Sequence, residues 1–111
     1  MVGQLYRDLT NEYSSEVKEL LNSYGVIKKE IAVCKQAGVP CAEKEEKIKF
    51  LDFCLGVLET YERELIMAIC MNGISIRQYS RCAGFSRNFI AKERDRILSM
   101  LTRFFVIKYK S

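Results

Sequence analysis

The sequence predicts an all-α protein of about five helices, a long N-terminal helix or helical hairpin followed by a C-terminal helix-turn-helix. Three observations predict it. Apolar residues recur at three- and four-residue steps along most of the 111-residue chain, the single proline and the clearest glycine corners fall between those stretches, and no alternating pattern of comparable length suggests strands. With 49% apolar and 29% charged residues, the composition is that of a folded chain rather than a disordered one.

The first helix is expected from near Gln4 to just before Ala37. Tyr13, Val17, Leu20, Tyr24, Ile27, Ile31 and Cys34 form an unbroken heptad seam along it. Gly25 lies inside that seam, at a cost of about 1 kcal/mol relative to alanine, too little to stop so regular a pattern. Ala37-Gly38-Val39-Pro40 ends the helix, because glycine supplies a C-cap conformation and proline cannot continue the hydrogen-bond ladder. A second helix is expected from about Ala42. Glu43, Glu45 and Glu46 suit the positive end of its dipole, and Ile48, Leu51, Leu55 and Leu58 form its core face, widened by Phe50, Cys54 and Val57. The pair can fold back as an antiparallel hairpin, or the seam can pair with a second chain in a homodimer; the spacing is compatible with both.

A third helix is expected from Thr60 or Tyr61 to Met71, stopped by Asn72-Gly73, with Glu62 and Glu64 on a solvated face. Ser75 then caps a fourth helix that Gly84 ends, and Ser86 caps a fifth. Ile90, Ile97 and Leu101 of the fifth face inward, extended by Leu98, Phe104 and Phe105; Phe104-Phe105-Val106-Ile107 reads as the helix end packing on the core rather than as a strand. Residues 1–58 are thus expected to be a helical assembly or support region, and residues 59–111 the helix-turn-helix region.

Composition narrows the function. No histidine, glycine-rich phosphate loop or nucleophile elbow is present, so the expectation is a protein that is not an enzyme, with no catalytic residues and no cofactor. Cys34, Cys41, Cys54, Cys70 and Cys82 are odd in number and form no CxxC pair. They are expected to remain thiols, four among apolar neighbours and Cys41 in a turn, with no metal bound. No apolar run is long enough to span a bilayer and the start lacks a signal-peptide profile, which predicts a cytoplasmic protein with no membrane partner.

The net charge of +4 is unevenly placed. Residues 1–72 carry nine basic and twelve acidic side chains, net −3, whereas residues 73–111 carry nine basic and two acidic, net +7. A positive field concentrated at one end suits a polyanion, because cations near phosphates release condensed counterions and steer the encounter.

The most informative unit is Gly73-Ile74-Ser75, eight further residues, then Gly84-Phe85-Ser86 and Arg87-Asn88-Phe89-Ile90. A helix of about two turns, a glycine corner and a serine cap place two helices for entry into a major groove. The outer face of the fifth helix holds the candidate base readers Arg87, Asn88, Ala91, Lys92 and Asp95. Arginine can contact guanine bidentately, asparagine adenine, and lysine either base or phosphate. Ser75, Arg77, Gln78, Arg81 and Ser86 are the candidates for the phosphate backbone, which position a domain without reading sequence. The expected partner is double-stranded DNA.

The run from Leu58 through Glu62-Arg63-Glu64-Leu65-Ile66, Gly73-Ile74-Ser75, Gly84-Phe85-Ser86 and Ile90 to Ile97-Leu98 resembles region 4 of bacterial sigma factors. More narrowly, it resembles the ArpU/RinA-type phage regulators. The resemblance spans roughly Phe50 to Leu101 and implies transcriptional control of phage or prophage genes, with RNA polymerase as a further partner. Ser80 stands where that family usually has an alanine at the helix crossing. Phe89 stands where a polar residue is common, and suggests extra packing against the N-terminal helices. Nothing resembles sigma region 2, so a complete sigma factor is not expected. Two other readings keep the same fold: a protein-interaction module acting on RNA polymerase or another partner, and a small terminase-like DNA packaging subunit.

Overall fold

The apolar stripes close into one core built entirely from helices in the computed structural model, which describes residues 13–110. Helix α1 covers residues 13–22, α2 Tyr24–Ala37, α3 Ala42–Val57, α4 Thr60–Ile66, α5 Ile76–Ala83 and α6 Arg87–Lys110. A π-helical turn, Met67–Met71, prolongs α4.

The seam predicted for a single first helix is instead divided between two. Its expected start near Gln4 lies outside the described residues, and within them the chain breaks at Ser23, whose backbone (φ −103°, ψ 10°) leaves helical geometry two residues before Gly25. Hydrogen bonds from Ser23 N to Glu19 O (2.9 Å) and from Ile27 N to Ser23 O (2.8 Å) bracket the break. The two pieces answer to different neighbours. Tyr13 of α1 stacks on Tyr109 of α6 at 6.3 Å, whereas Tyr24 of α2 donates its hydroxyl to Asp52 of α3. Leu21, off the heptad seam, is fully buried along with Val17, and that inward turn accompanies the break.

Helices α2 and α3 form an antiparallel hairpin. Gly38 adopts φ 73° at the end of α2, and Val39 N returns a hydrogen bond to Cys34 O (2.8 Å), the pattern of a left-handed C-cap. Lys35–Glu45 at 2.8 Å, Lys44–Glu30 at 3.0 Å and Lys28–Asp52 at 3.8 Å pair the helices in register. Solvent screens such pairs heavily, so packing supplies most of the stability. Ile48, Leu51, Cys54, Leu55 and Leu58 are buried and Phe50 is half-buried, but Val57 points outward at 55% exposure and does not widen the stripe.

Helix α6 ties the halves together. Its 24 residues extend for roughly 36 Å at about 1.5 Å per residue. Ile90, Ile97, Leu98, Leu101, Thr102 and Phe105 are its buried positions. Toward its C-terminal end Phe105 meets the edge of Phe50 at 5.1 Å, and Phe104 is half-buried. Thr102, a polar residue on this apolar face, donates its hydroxyl to Leu98 O at 2.7 Å, which satisfies it within its own helix.

Candidate nucleic-acid interface

Each corner of the helix-turn-helix has a local cause. The helix expected to run unchanged to Met71 widens at Met67 into the π-turn, closed by a bond from Asn72 N to Met67 O (2.9 Å). Gly73 then turns at φ 70° and starts the excursion toward α5. Ser75 Oγ accepts from Gln78 N at 3.1 Å, the N-cap expected of it. Gly84 ends α5 at φ 79°, a conformation most side chains avoid. Ser86 Oγ accepts from Phe89 N at 3.1 Å and begins α6.

Ser80 adds a bond that spacing alone did not reveal. Its hydroxyl donates to Phe85 O at 2.5 Å, tying the α5 side of the crossing to the turn itself. Ser80 is therefore a fastener for the corner.

Along α6, Arg87, Asn88 and Lys92 are exposed and Ala91 is half-buried. Asp95 is exposed, but Arg94 Nε donates to its Oδ1 at 3.1 Å, and it lines a groove with Lys18, Asn22, Cys70 and Leu98. Of the five candidate readers it is the one whose charge is paired among the described residues. On α5, Arg77, Gln78 and Arg81 are exposed, with the two arginines four residues apart on one face. Ser75 and Ser86 are exposed at the two helix starts, where each side-chain oxygen already accepts a backbone N–H and each hydroxyl proton remains able to donate.

The cations of this region fall into two groups. Arg96 donates to Glu62 Oε2 (2.5 Å), to both Glu93 oxygens (2.8 and 2.9 Å) and to Tyr61 Oη (3.1 Å), while Tyr61 donates to Glu93 at 3.0 Å. The Glu93 and Glu62 carboxylates raise the Arg96 pKa, and Arg96 in turn holds the Glu93 carboxyl below its usual range. This cluster clamps α6 to the start of α4. Arg77, Arg81, Arg87 and Lys92, by contrast, have no ion-pair partner among the described residues.

Two expectations are corrected here. Glu62 is not on a solvated face: it is 6% exposed, accepting from Glu59 N at 2.9 Å as the third residue of α4 while pairing with Arg96. The sequence signal was the i, i+3 spacing of Glu59 and Glu62, a capping-box arrangement ahead of an apolar run. Among the described residues, Phe89 is not packed on the core that the N-terminal helices share. Its ring lies 5.1 Å from that of Phe85, and the two are 41% and 45% exposed.

The thiols also differ from expectation in one position. Cys54 is buried and Cys34, Cys41 and Cys70 are half-buried, but Cys82 on α5 is exposed rather than set among apolar neighbours. Burial pushes the Cys54 thiol up to about 11 and raises that of Cys70. No group of three or more metal-ligating side chains occurs among the described residues, and no described helix is long and apolar enough to cross a membrane.

Compared with known proteins, the chain matches no family model, no curated protein and no solved structure.

Proposed function

We propose that the chain is a sequence-specific double-stranded DNA-binding transcription regulator of phage or prophage type, acting by binding rather than catalysis. The observation that carries this reading is the set of cations with no ion-pair partner among the described residues on the two helices that flank the turn: Arg77 and Arg81 on α5, Arg87 and Lys92 on α6. Cations without an ion-pair partner among the described residues, on a helix pair cornered by Gly84, would neutralise phosphates while the start of α6 reaches base edges. Arg87 and Asn88 are the base readers in this proposal, and Arg77, Gln78 and Arg81 hold the backbone.

RNA polymerase as a second partner follows only from the resemblance to sigma region 4 and belongs to the same proposal. Self-association through the N-terminal helices would have to use outer residues such as Val26 and Val33, because Val17, Leu20 and Ile31 of the seam are filled from within the chain.

The test is duplex binding by the full chain across a salt series, with random DNA beside fragments from its own genomic neighbourhood. Tight binding that favours one fragment and falls with salt supports the reading, each phosphate-contacting cation contributing about −0.9 to the logarithmic slope. Arg87→Ala is then expected to relax the preference at one base pair by about 1–3 kcal/mol. Absence of binding at low salt would replace this reading with a protein-interaction module.

A further inference from the structure

Phe85 and Phe89 leave two aromatic rings in solvent at the most cationic corner of the molecule. Their placement is fixed. The Phe85 carbonyl is held by the Ser80 hydroxyl and the Phe89 N–H by the Ser86 side chain, so the backbone beneath both rings is tied down. Arg87 and Asn88 stand between them in sequence, and Lys92 lies one turn beyond Phe89. The other exposed phenylalanine, Phe53, lies on α3, where the Lys44, Lys47 and Lys49 ammoniums are paired with carboxylates and Asp52 is paired with Lys28 of α2.

An apolar shelf on a helix pair whose Arg77, Arg81, Arg87 and Lys92 have no ion-pair partner among the described residues suits a ligand that is anionic overall and offers a small apolar group at its surface. Duplex DNA has one such group in its major groove, the thymine 5-methyl, and phenylalanine is among the side chains that contact it. We propose that Phe89, backed by Phe85, reads a thymine methyl beside the group contacted by Lys92, its i+3 neighbour on α6. This rests on the DNA-binding reading above and adds an element of sequence to the site it recognises: a thymine on the side of the groove that Lys92 faces.

The experiment uses the full chain and the duplex it selects from a random library, with each thymine replaced singly by deoxyuridine, which removes the methyl and leaves the base-pairing edge intact. One position is expected to weaken binding about fourfold, the worth of one buried methyl group. In Phe89→Ala, whose helical circular dichroism serves as the folding control, the thymine and deoxyuridine duplexes are expected to bind alike. Phe89→Leu, which keeps an apolar side chain, should retain part of the difference.

Salt-dependent duplex binding with no sensitivity to any deoxyuridine overturns the methyl contact and leaves the DNA reading standing. A deoxyuridine effect that persists unchanged in Phe89→Ala overturns it too. Tighter binding to the single strand than to the duplex, lost in Phe89→Ala, would overturn it in favour of stacking on unpaired bases. No duplex binding at all removes both this inference and the reading beneath it.

Discussion

The α2–α3 hairpin and the α5–α6 corner use the same kind of residue in opposite ways. In the hairpin, Lys28, Lys35, Lys44 and Lys49 face carboxylates on the neighbouring turn or helix, and Lys47 reaches Glu16 of α1 at 2.5 Å. At the corner, Arg77, Arg81, Arg87 and Lys92 face solvent, while only Arg94 and Arg96, set nearer the body, are paired. The difference separates cations that fix the protein's own register from cations left for something outside it. Net charge by half of the chain hints at this contrast, but pairing decides it.

The largest effect that bears on the comparison is expected from the element both regions share. Phe105 is fully buried against Phe50, so Phe105→Ala is expected to cost about 3–5 kcal/mol in a denaturant titration. Helical signal and fluorescence from both halves should be lost in one transition. Two separate midpoints would mean that the hairpin and the corner are independent units. Thiol labelling offers the next contrast. Cys54, buried and with its pKa pushed up to about 11, should react far more slowly than exposed Cys82 at mildly alkaline pH. Comparable rates would place the hairpin's core within reach of solvent.

The clamp between the regions should show a smaller effect. Glu62→Gln keeps the shape but weakens the bond to Arg96, and about 1–2 kcal/mol of stability is expected to go, discounted because the Arg96 head is partly in solvent. On the DNA-binding reading, duplex affinity should fall with it, since the orientation of α6 depends on that seat. The smallest effect separates the two kinds of cation directly. Lys44→Ala should leave both the unfolding midpoint and the salt slope of DNA binding unchanged, whereas Lys92→Ala should flatten that slope by about one. A slope that changes equally in both variants would erase the distinction.

Much of this architecture is legible in the sequence where a single residue type has a single local use. Ser75, Gly84 and Ser86 mark helix ends because a hydroxyl caps an N–H and a glycine turns left-handed, whatever the surroundings. Ala42 as the start of α3 follows from Pro40 in the same way. What stayed hidden depends on tertiary partners. The seam from Tyr13 to Cys34 keeps its period across Ser23, so periodicity cannot report that α1 turns to Tyr109 and α2 to Asp52. Glu62 looks like any helical surface carboxylate until Arg96, 34 residues on, arrives beside it. Phe89 reads as a core residue by type alone, and only the position of Phe85 shows that the two rings shelter one another at the surface.

The uninterrupted length of α6 carries a mechanical consequence. A straight rod of roughly 36 Å turns rotation at one end into displacement at the other, about 0.6 Å for every degree of tilt. Its far end is seated on Phe50 and Tyr13, and its near end holds Arg87 and Asn88. Hydrogen bonds to base edges tolerate only a few tenths of an ångström. On the DNA-binding reading proposed above, one degree of tilt about the far seat would carry Arg87 and Asn88 past that tolerance, so the buried Ile90 and Ile97 and the Arg96–Glu62 clamp, by holding the near half of α6 against tilting, also hold the register of any contact made there.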